Sequence, residues 1–201
     1  MRRHVFFWSI LFLSYIASAQ QFSSQVFHEG YLVTIDQDTV KGLLKYDMET
    51  NIVQLVQGNV VKTYSSHNIY HFEIYDQLVN NYRQFYSIPY NVNYDYKTPI
   101  FFEVLYEGPL SLLCREAIVQ VAVNNGSAMY WGSNYMQNRL QYTYFFLDKQ
   151  GNIQLYTGKK ASLLSIMSKH ASQVKSFIKK NRLKPDEMRD IIRITAFYNA
   201  I

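Results

Sequence analysis

Alternating apolar and polar positions run through most of the chain and predict β-strands joined by short turns. The most apolar stretch after the first twenty residues is residues 99–113, PIFFEVLYEGPLSLL, which Glu107-Gly108-Pro109 interrupts once. Aromatic and branched side chains on both sides of that interruption favour strands. We therefore predict two strands and a tight turn at the middle of a sheet, with the other strands packed around them.

Further hairpins are predicted on both sides of this pair. Asp36-Gln37-Asp38, Gly58-Asn59 and residues 148–152 have compositions that are typical of turns. Residues 75–97 contain many tyrosines without a clear period and are predicted as loops around one short strand, and residues 124–138 are predicted as a loop. The predicted strands are residues 26–35, 39–46, 51–57, 60–65, 68–74, 83–87, 100–106, 110–115, 117–123, 141–147 and 153–157.

The hydrophobic period becomes helical after Lys159. Apolar side chains then recur every three or four residues, which predicts either one helix or two helices with a break near residues 168–170. Pro185 is predicted to open a last helix that ends near Asn199. The charge changes at the same place, from a net −4 over residues 20–158 to +7 over residues 159–201. These ranges are predicted to be a β-rich body and a basic helical tail packed on it.

The predicted fold class is α+β. We expect an antiparallel β body of about eight to ten strands, in which a twisted sheet curls towards a sandwich or an open barrel. Two or three C-terminal helices should cover an open edge or end of that sheet. Cys114 is the single cysteine and is expected to be a buried small hydrophobe, so the fold must be stable without an internal disulfide.

Residues 1–19 are predicted to be a secretory signal peptide. Arg2-Arg3 precedes an apolar run at residues 5–16, and Ala17-Ser18-Ala19 is typical of a cleavage site. The alternative is an N-terminal membrane anchor, although the apolar run is short for a span. We expect an exported protein that is periplasmic, outer-membrane-associated or extracellular, with no transmembrane segment in the mature chain. Export without disulfides favours a bacterial source.

Short motifs resemble those of a group of uncharacterised secreted β-rich proteins that is common in Bacteroidota. They include residues 29–33, EGYLV, then residues 38–42, DTVKG, the hairpin at residues 107–112, EGPLSL, and Tyr198-Asn199 at the end of a basic helical tail. Tyr64-Ser65 before an Ile-x-x-Phe strand follows the same pattern. The resemblance implies an exported protein with this domain plan. It implies no activity and no functional residues.

The motifs of several large enzyme classes are absent from the sequence. It contains no Gly-rich dinucleotide fingerprint, P-loop, Gly-x-Ser-x-Gly or His-Glu-x-x-His. His67 and His71, with Glu73, could share a strand face and bind a metal, but two partly exposed histidines are the favoured interpretation. Glu103 and Glu107 could act as a carboxylate pair in a cleft, but a solvent-facing row is favoured. We therefore name no catalytic residue, no metal ligand and no cofactor, and consider an enzyme less favoured than a binding protein.

Tyrosine is the most unusual feature of the composition, with 18 residues in the chain. Its ring has an apolar face and a polar tip, which suits sugar or peptide recognition, although tyrosine also simply favours strands. Two aromatic clusters in predicted loops supply the candidate ligand-binding residues, which are Tyr90, Tyr94, Tyr96, Tyr130 and Trp131.

The leading functional hypothesis is a non-enzymatic, exported protein that acts as a binding or envelope-associated module. The alternative is a carbohydrate-binding or carbohydrate-processing protein that uses the aromatic loops. The partner is unknown, and an envelope protein or a glycan would fit. Nucleic acid is not expected, because the basic tail is best explained as the solvated face of helices packed over the sheet.

Overall fold

The computed structural model describes residues 21–93, 96–123 and 135–201. The predicted signal peptide and the candidate residues Tyr94, Tyr130 and Trp131 lie outside these ranges. The strands are β1 (His28–Thr34), β2 (Thr39–Asp47), β3 (Ile52–Gln57), β4 (Val60–Ser65), β5 (Ile69–Asp76), β6 (Asn81–Asn93), β7 (Tyr96–Tyr106), β8 (Leu110–Val123), β9 (Tyr135–Asp148) and β10 (Ile153–Tyr156). The helices are α1 (Lys160–Ile166), α2 (Ala171–Lys180) and α3 (Met188–Asn199), with short 3₁₀ segments at Ser23–Gln25 and Ser168–His170.

All strands belong to one antiparallel sheet in the spatial order β10-β9-β8-β7-β6-β5-β1-β2-β3-β4, and the sheet is not closed. Every strand pair except β1–β5 is sequential along the chain, so the sheet is built almost entirely of hairpins. The predicted α+β class, with a curled antiparallel sheet and C-terminal helices, is confirmed. Among the described residues, no helix has the length and apolar character needed to cross a membrane.

The prediction that residues 75–97 are mainly loops is wrong. β6 extends over 13 residues, and β7 already begins at Tyr96. Pairing between the two strands explains the difference, because Tyr90 lies opposite Thr98 and Pro89 lies opposite Pro99. Neither neighbouring strand pairs with this end of the ribbon, so the missing proline N–H groups leave no ladder bond unmade. At this end of the ribbon, tyrosines and polar residues occupy both faces of the strands. The alternation of apolar and polar residues that marks a strand is therefore not visible in the sequence.

β8 is one continuous strand where the sequence predicted two. It also extends with β9 as a ribbon, in register from Leu110 opposite Asp148 to Val123 opposite Tyr135. The polar residues 135–138, which were predicted as loop, are therefore strand, while the rest of that predicted loop lies outside the described residues. The ribbon has weak apolar alternation because most of its far end is exposed to solvent on both faces.

A gap opens between β7 and β8 beyond the pair of Glu103 and Cys114, where their ladder stops. The turn between β2 and β3 contacts both strands at this gap. Asn51 Oδ1 accepts a hydrogen bond from the backbone N–H of Phe101 at 3.0 Å and one from Arg115 Nη1 at 3.0 Å. Arg115 also donates to the backbone carbonyls of Phe101 and Met48. The sheet therefore curls until its β2–β3 part reaches β7 and β8.

The inner face of the curled sheet carries two apolar clusters, and its outer face carries a third. One inner cluster lies under the helices on β8 to β10 and joins Leu112, Cys114 and Phe146 to Leu163, Val174 and Ile191. The other inner cluster fills the curl and consists mainly of Leu32, Leu44, Tyr46, Val53, Leu55, Phe72, Ile74, Phe85 and Phe101. The outer cluster consists of Ile100, Phe102, Leu113 and Phe145.

The last helix begins later than predicted. Residues 185–187 form a turn, and α3 starts at Met188 because the backbone of Glu187 is extended, with φ −89° and ψ 131°. The Asp190 carboxylate then accepts a hydrogen bond from the backbone N–H of Lys184 at 2.9 Å, which stabilises the turn. At the other end, the Asn199 side chain accepts from the backbone N–H of Leu110 at 2.8 Å and donates to its carbonyl at 2.9 Å, so α3 is joined to the start of β8.

Candidate functional site

Two of the five predicted ligand-binding residues lie in the described part of the chain. Tyr90 is half-buried on β6, where its ring packs edge-on against Phe102 at 5.7 Å and Phe145 at 5.5 Å between centroids. Tyr96 lies at the start of β7 and is 71% exposed. Both residues belong to strands rather than to the predicted loops. Binding through them stays a prediction.

A buried ionic cluster, which the sequence did not predict, lies on the inner face of the sheet. We call it the Arg83 cluster, and each of its members is less than a tenth exposed. β2, β5, β6, β7 and β8 each contribute one residue, which are Tyr46, Asp76, Arg83, Glu103 and Glu116.

All five N–H groups of Arg83 donate to other members of the cluster. Nε and Nη2 donate to the two oxygens of Glu103 at 2.8 and 2.7 Å. Nη2 also donates to Glu116 at 2.8 Å, while Nη1 donates to Asp76 at 3.1 Å and to the Tyr46 hydroxyl at 2.7 Å. Tyr46 donates in turn to Glu116 at 2.5 Å. One guanidinium therefore connects five strands of the sheet.

The ionisation of the cluster follows from its burial and its charges. Burial raises the pKa of the Tyr46 hydroxyl, and the neighbouring Glu116 adds to that rise. Burial alone would also raise the pKa of Asp76, but hydrogen bonds from Ser23 and Arg83 and the charge of Arg83 outweigh it and lower that pKa. For Arg83, burial is outweighed by the bonds and charge of Glu103, so its pKa is raised. At neutral pH the guanidinium is charged and the phenol is not.

The N-terminal segment extends the cluster. His28 is buried, with Nε2 2.7 Å from the backbone carbonyl of Ser23 and Nδ1 3.9 Å from Asp76. Phe22, which directly precedes Ser23 in this segment, is also buried. The residues that follow the predicted signal peptide are thus packed against the charged centre of the sheet.

Two surface clefts are each lined by two members of the cluster. The larger, which we call the α3 cleft, has a volume of about 570 Å³, and both Arg83 and Glu103 line it. Its walls come from residues 21–23, the turn at residues 78–79, the beginning of β6, the end of β7, the middle of β9 and the first half of α3. The smaller cleft has a volume of about 270 Å³, and Tyr46 and Glu116 are among its lining residues. The cluster therefore contributes polar atoms to both clefts.

The expectation that Glu103 and Glu107 form a solvent-facing row is wrong. Glu103 is buried against Arg83, whereas Glu107 follows the end of β7 and is exposed. A register shift between Val104 and Tyr106 interrupts the alternation between the two glutamates. A signal for the inward position was present in the sequence, because Glu103 lies within an apolar run with Phe101 and Leu105 two positions away on either side.

A second aromatic feature lies on the outer face of the sheet, around a bulge in β5. Val33 pairs with His71 and Thr34 pairs with Ile69, so Tyr70 has no residue opposite it. The His71 ring stacks on Tyr86 at 5.2 Å between centroids. Tyr70 contacts both rings edge-on, at 5.4 and 5.9 Å, and is 57% exposed.

We call Tyr31, Tyr70, His71 and Tyr86 the outer aromatic surface. Tyr31 packs edge-on against His71 at 5.9 Å between centroids. Polar groups adjoin the rings, because Gln84 donates to Glu73 at 2.6 Å, and Glu73 pairs with Tyr31 across the β1–β5 ladder. Burial, followed by the charge of Glu73, raises the pKa of Tyr31, and burial followed by the charge of Glu107 raises that of Tyr86.

The two histidines that were considered as metal ligands have other neighbours. His67 Nε2 lies 3.4 Å from the Thr98 hydroxyl, and His71 belongs to the outer aromatic surface. Within residues 21–93, 96–123 and 135–201, no group of three or more His, Cys, Asp or Glu side chains is placed to hold a metal ion. Cys114 is buried, and burial raises the pKa of its thiol.

Comparison with known proteins found no protein-family model, curated protein or solved structure that matches this chain. The comparison therefore adds no functional residue to the Arg83 cluster or to the outer aromatic surface. The resemblance to secreted proteins of Bacteroidota stays a prediction.

Proposed function

We propose that the protein is a non-enzymatic, exported binding module and that the outer aromatic surface is its contact for a neutral glycan. The observation that carries this proposal is the group of four rings around the β5 bulge, next to the hydrogen-bonded pair of Glu73 and Gln84. Export is the expectation from the N-terminal sequence.

The rings suit sugar recognition for a physical reason. The C–H face of a pyranose packs on an aromatic ring, while its hydroxyls need hydrogen-bonding groups beside that ring. Tyr70, Gln84 and Glu73 provide both kinds of contact within one surface. The stacked rings also hold one another in place, so little conformational entropy is lost when a ligand binds.

The charge around the surface favours a neutral glycan over an anionic one. The carboxylates of Glu73 and Glu107 both act on the Tyr86 hydroxyl, and both raise its pKa. A uronic acid or a sulfated sugar placed on the same rings would meet these negative charges. Neutral hexose or N-acetylhexosamine polymers avoid that repulsion.

Binding is favoured over catalysis by the arrangement of the buried carboxylates. Glu103 and Glu116 are the buried carboxylates that line the two clefts, and both accept hydrogen bonds from Arg83. Asp47 and Glu49 also line the smaller cleft but are exposed to solvent. A hydrolase of the two-carboxylate type would hold such groups on opposite sides of a substrate bond. Here a guanidinium occupies the space between them.

A glycan array followed by calorimetry with the best neutral oligosaccharide tests the proposal. We expect Tyr70→Ala and Tyr86→Ala to weaken binding at least about fivefold, as for a central contact residue. Tyr96→Ala is the control, because Tyr96 is an exposed tyrosine outside the outer aromatic surface, at the start of β7. An array on which only anionic glycans bind, or a loss of binding with Tyr96→Ala alone, would contradict the proposal.

A further inference from the structure

The α3 cleft is a second place where the structure combines an apolar cavity with buried polar atoms. Its volume of about 570 Å³ is within the range of small-molecule sites. From the groups that line it, we infer that this cleft binds a small ligand with an apolar body and a protonated amine, and that the amine donates to Glu103. This inference does not depend on the glycan proposal, because its decisive residues lie outside the outer aromatic surface.

The hydrogen-bond inventory of Arg83 decides the polarity of the ligand. A guanidinium has five N–H groups, and all five of Arg83 already donate to Tyr46, Asp76, Glu103 and Glu116. The arginine therefore has no donor left for a ligand carboxylate or phosphate. Each Glu103 oxygen accepts one hydrogen bond from Arg83 and has a second lone pair. A ligand group that contacts the free lone pair of a Glu103 oxygen must therefore be a hydrogen-bond donor.

The charge balance of the cluster favours a cation among the possible donors. Three carboxylates, those of Asp76, Glu103 and Glu116, surround one guanidinium. Among the residues that the structure describes, no lysine lines the α3 cleft, and Arg83 is the only arginine in its lining. An ammonium group at Glu103 would therefore reduce an excess of negative charge that is partly shielded from water.

The rest of the cleft suits an apolar body. Its side chains come from four parts of the chain and include Leu78, Val79, Leu105, Leu140, Met188 and Ile192. Tyr142 adds a hydroxyl whose pKa burial raises to about 12, so it stays neutral and can accept or donate one hydrogen bond. Gln21, Ser23 and Asn81 are further uncharged polar residues of the lining. Apolar walls with a few polar groups are the arrangement that orients an amphiphilic ligand.

Isothermal titration of the full chain with octylamine, octanol and octanoate, which share one alkyl chain, tests the inference. We expect saturable octylamine binding, with octanoate at least about tenfold weaker and octanol between them. Glu103→Gln should remove the preference for the amine. Equal affinities for octylamine and octanoate, or no saturable octylamine binding, would overturn the inference.

A surface variant keeps the test decisive if Glu103→Gln fails to fold. Val79 lines the cleft but is 57% exposed, so Val79→Lys adds a cation there without disturbing the core. We expect it to weaken octylamine binding at least about fivefold through like-charge repulsion and to improve octanoate binding. Val60→Lys is the matched control, because Val60 is 54% exposed on the edge strand β4. An equal effect of both variants, or none from Val79→Lys, would contradict the inference.

Discussion

The Tyr46 hydroxyl donates a 2.5 Å hydrogen bond to Glu116, which is 70 residues further along the chain. Tyr46 lies on β2 and Glu116 on β8, and four strands stand between β2 and β8 in the sheet. The contact is therefore possible only because the sheet curls. Since both residues also bind Arg83, the polar centre of the protein holds the two sides of the curl together.

Removal of the Tyr46 hydroxyl should destabilise the fold. In Tyr46→Phe, Arg83 loses one acceptor and Glu116 loses one donor, and both groups stay buried. We expect the free energy of unfolding in urea to fall by about 1–3 kcal/mol. Tyr96→Phe, on an exposed ring, is the control and should change it little. Equal losses in the two variants would show that the buried hydroxyl has no special role.

Removal of Arg83 should be more damaging than removal of the hydroxyl. Arg83→Met leaves three buried carboxylates without their shared counter-charge, and we expect a loss of about 3–5 kcal/mol at neutral pH. The deficit should shrink as the pH falls, because Arg83 helps to lower the pKa of Asp76, and the stabilisation from that ion pair is lost when Asp76 takes up a proton. Arg139→Met, at an exposed position, is the control. A deficit that does not change with pH would contradict this account.

Acid should weaken the fold partly through Asp76. Its pKa is lowered in the folded protein, so its contribution is fully present above the usual pKa of 3.8 and is lost as the pH falls through the folded value. The difference in unfolding free energy between wild type and Asp76→Asn should therefore narrow between pH 7 and pH values below about 3.8. Asp36→Asn, on an exposed turn, serves as the comparison. If the difference in unfolding free energy between wild type and Asp76→Asn widened in acid, the pKa of Asp76 would not be lowered by folding.

Gly30 should tolerate no side chain, because β1 lies close to its neighbours there. A Cβ on Gly30 would lie 2.1 Å from the carbonyl oxygen of Glu73 and 2.8 Å from Leu44 Cδ1. We expect Gly30→Ala to lower stability by about 2–3 kcal/mol, measured by thermal unfolding. At Gly58 the φ of +60° is the main obstacle and the space is open, so Gly58→Ala should cost about 1 kcal/mol. The reverse order of the two losses would disagree with the structure.

The side chain of Asn199 should determine how firmly α3 is held on the sheet. Asn199→Ala removes both hydrogen bonds to the backbone of Leu110, so we expect faster hydrogen exchange at that amide and in α3. Asn181→Ala is the control, because the Asn181 side chain donates to the carbonyl of Phe177, within one helical turn at the end of α2. Unchanged protection at Leu110 would show that apolar packing alone holds the helix.

Local patterns predicted those parts of the fold in which one face is apolar and the turn residues are distinctive. The strand at residues 60–65 was predicted with the bounds of β4, and the helical period after Lys160 identified α1 and α2. The far end of the β6–β7 ribbon, residues 88–93 and 96–99, was missed, because no side chain that the structure describes there is fully buried and the sequence shows no contrast between alternate positions. Pro89 and Pro99 also argue against a strand when the sequence is considered alone, and only the structure shows that they lie opposite each other in the ribbon.

The candidate sites were harder to predict, because their members are distant in sequence. Arg83 meets Glu103 after 20 residues and Glu116 after 33, and no short motif records such spacings. The outer aromatic surface depends on the β5 bulge, which brings Tyr70 beside His71 and Tyr86 although neighbouring residues in a regular strand point to opposite faces.

The bond between Tyr46 and Glu116 has a consequence for the order of folding. Hairpins can form early from neighbouring segments of the chain, but the curl cannot close until β8 has brought Glu116 to Tyr46. Before Glu116 is in place, the remaining partners of Arg83 within its cluster are Tyr46, Asp76 and Glu103. Contacts over such long separations slow folding, so we expect closure to be a late step, and the inner apolar face would be exposed to chaperones during that interval.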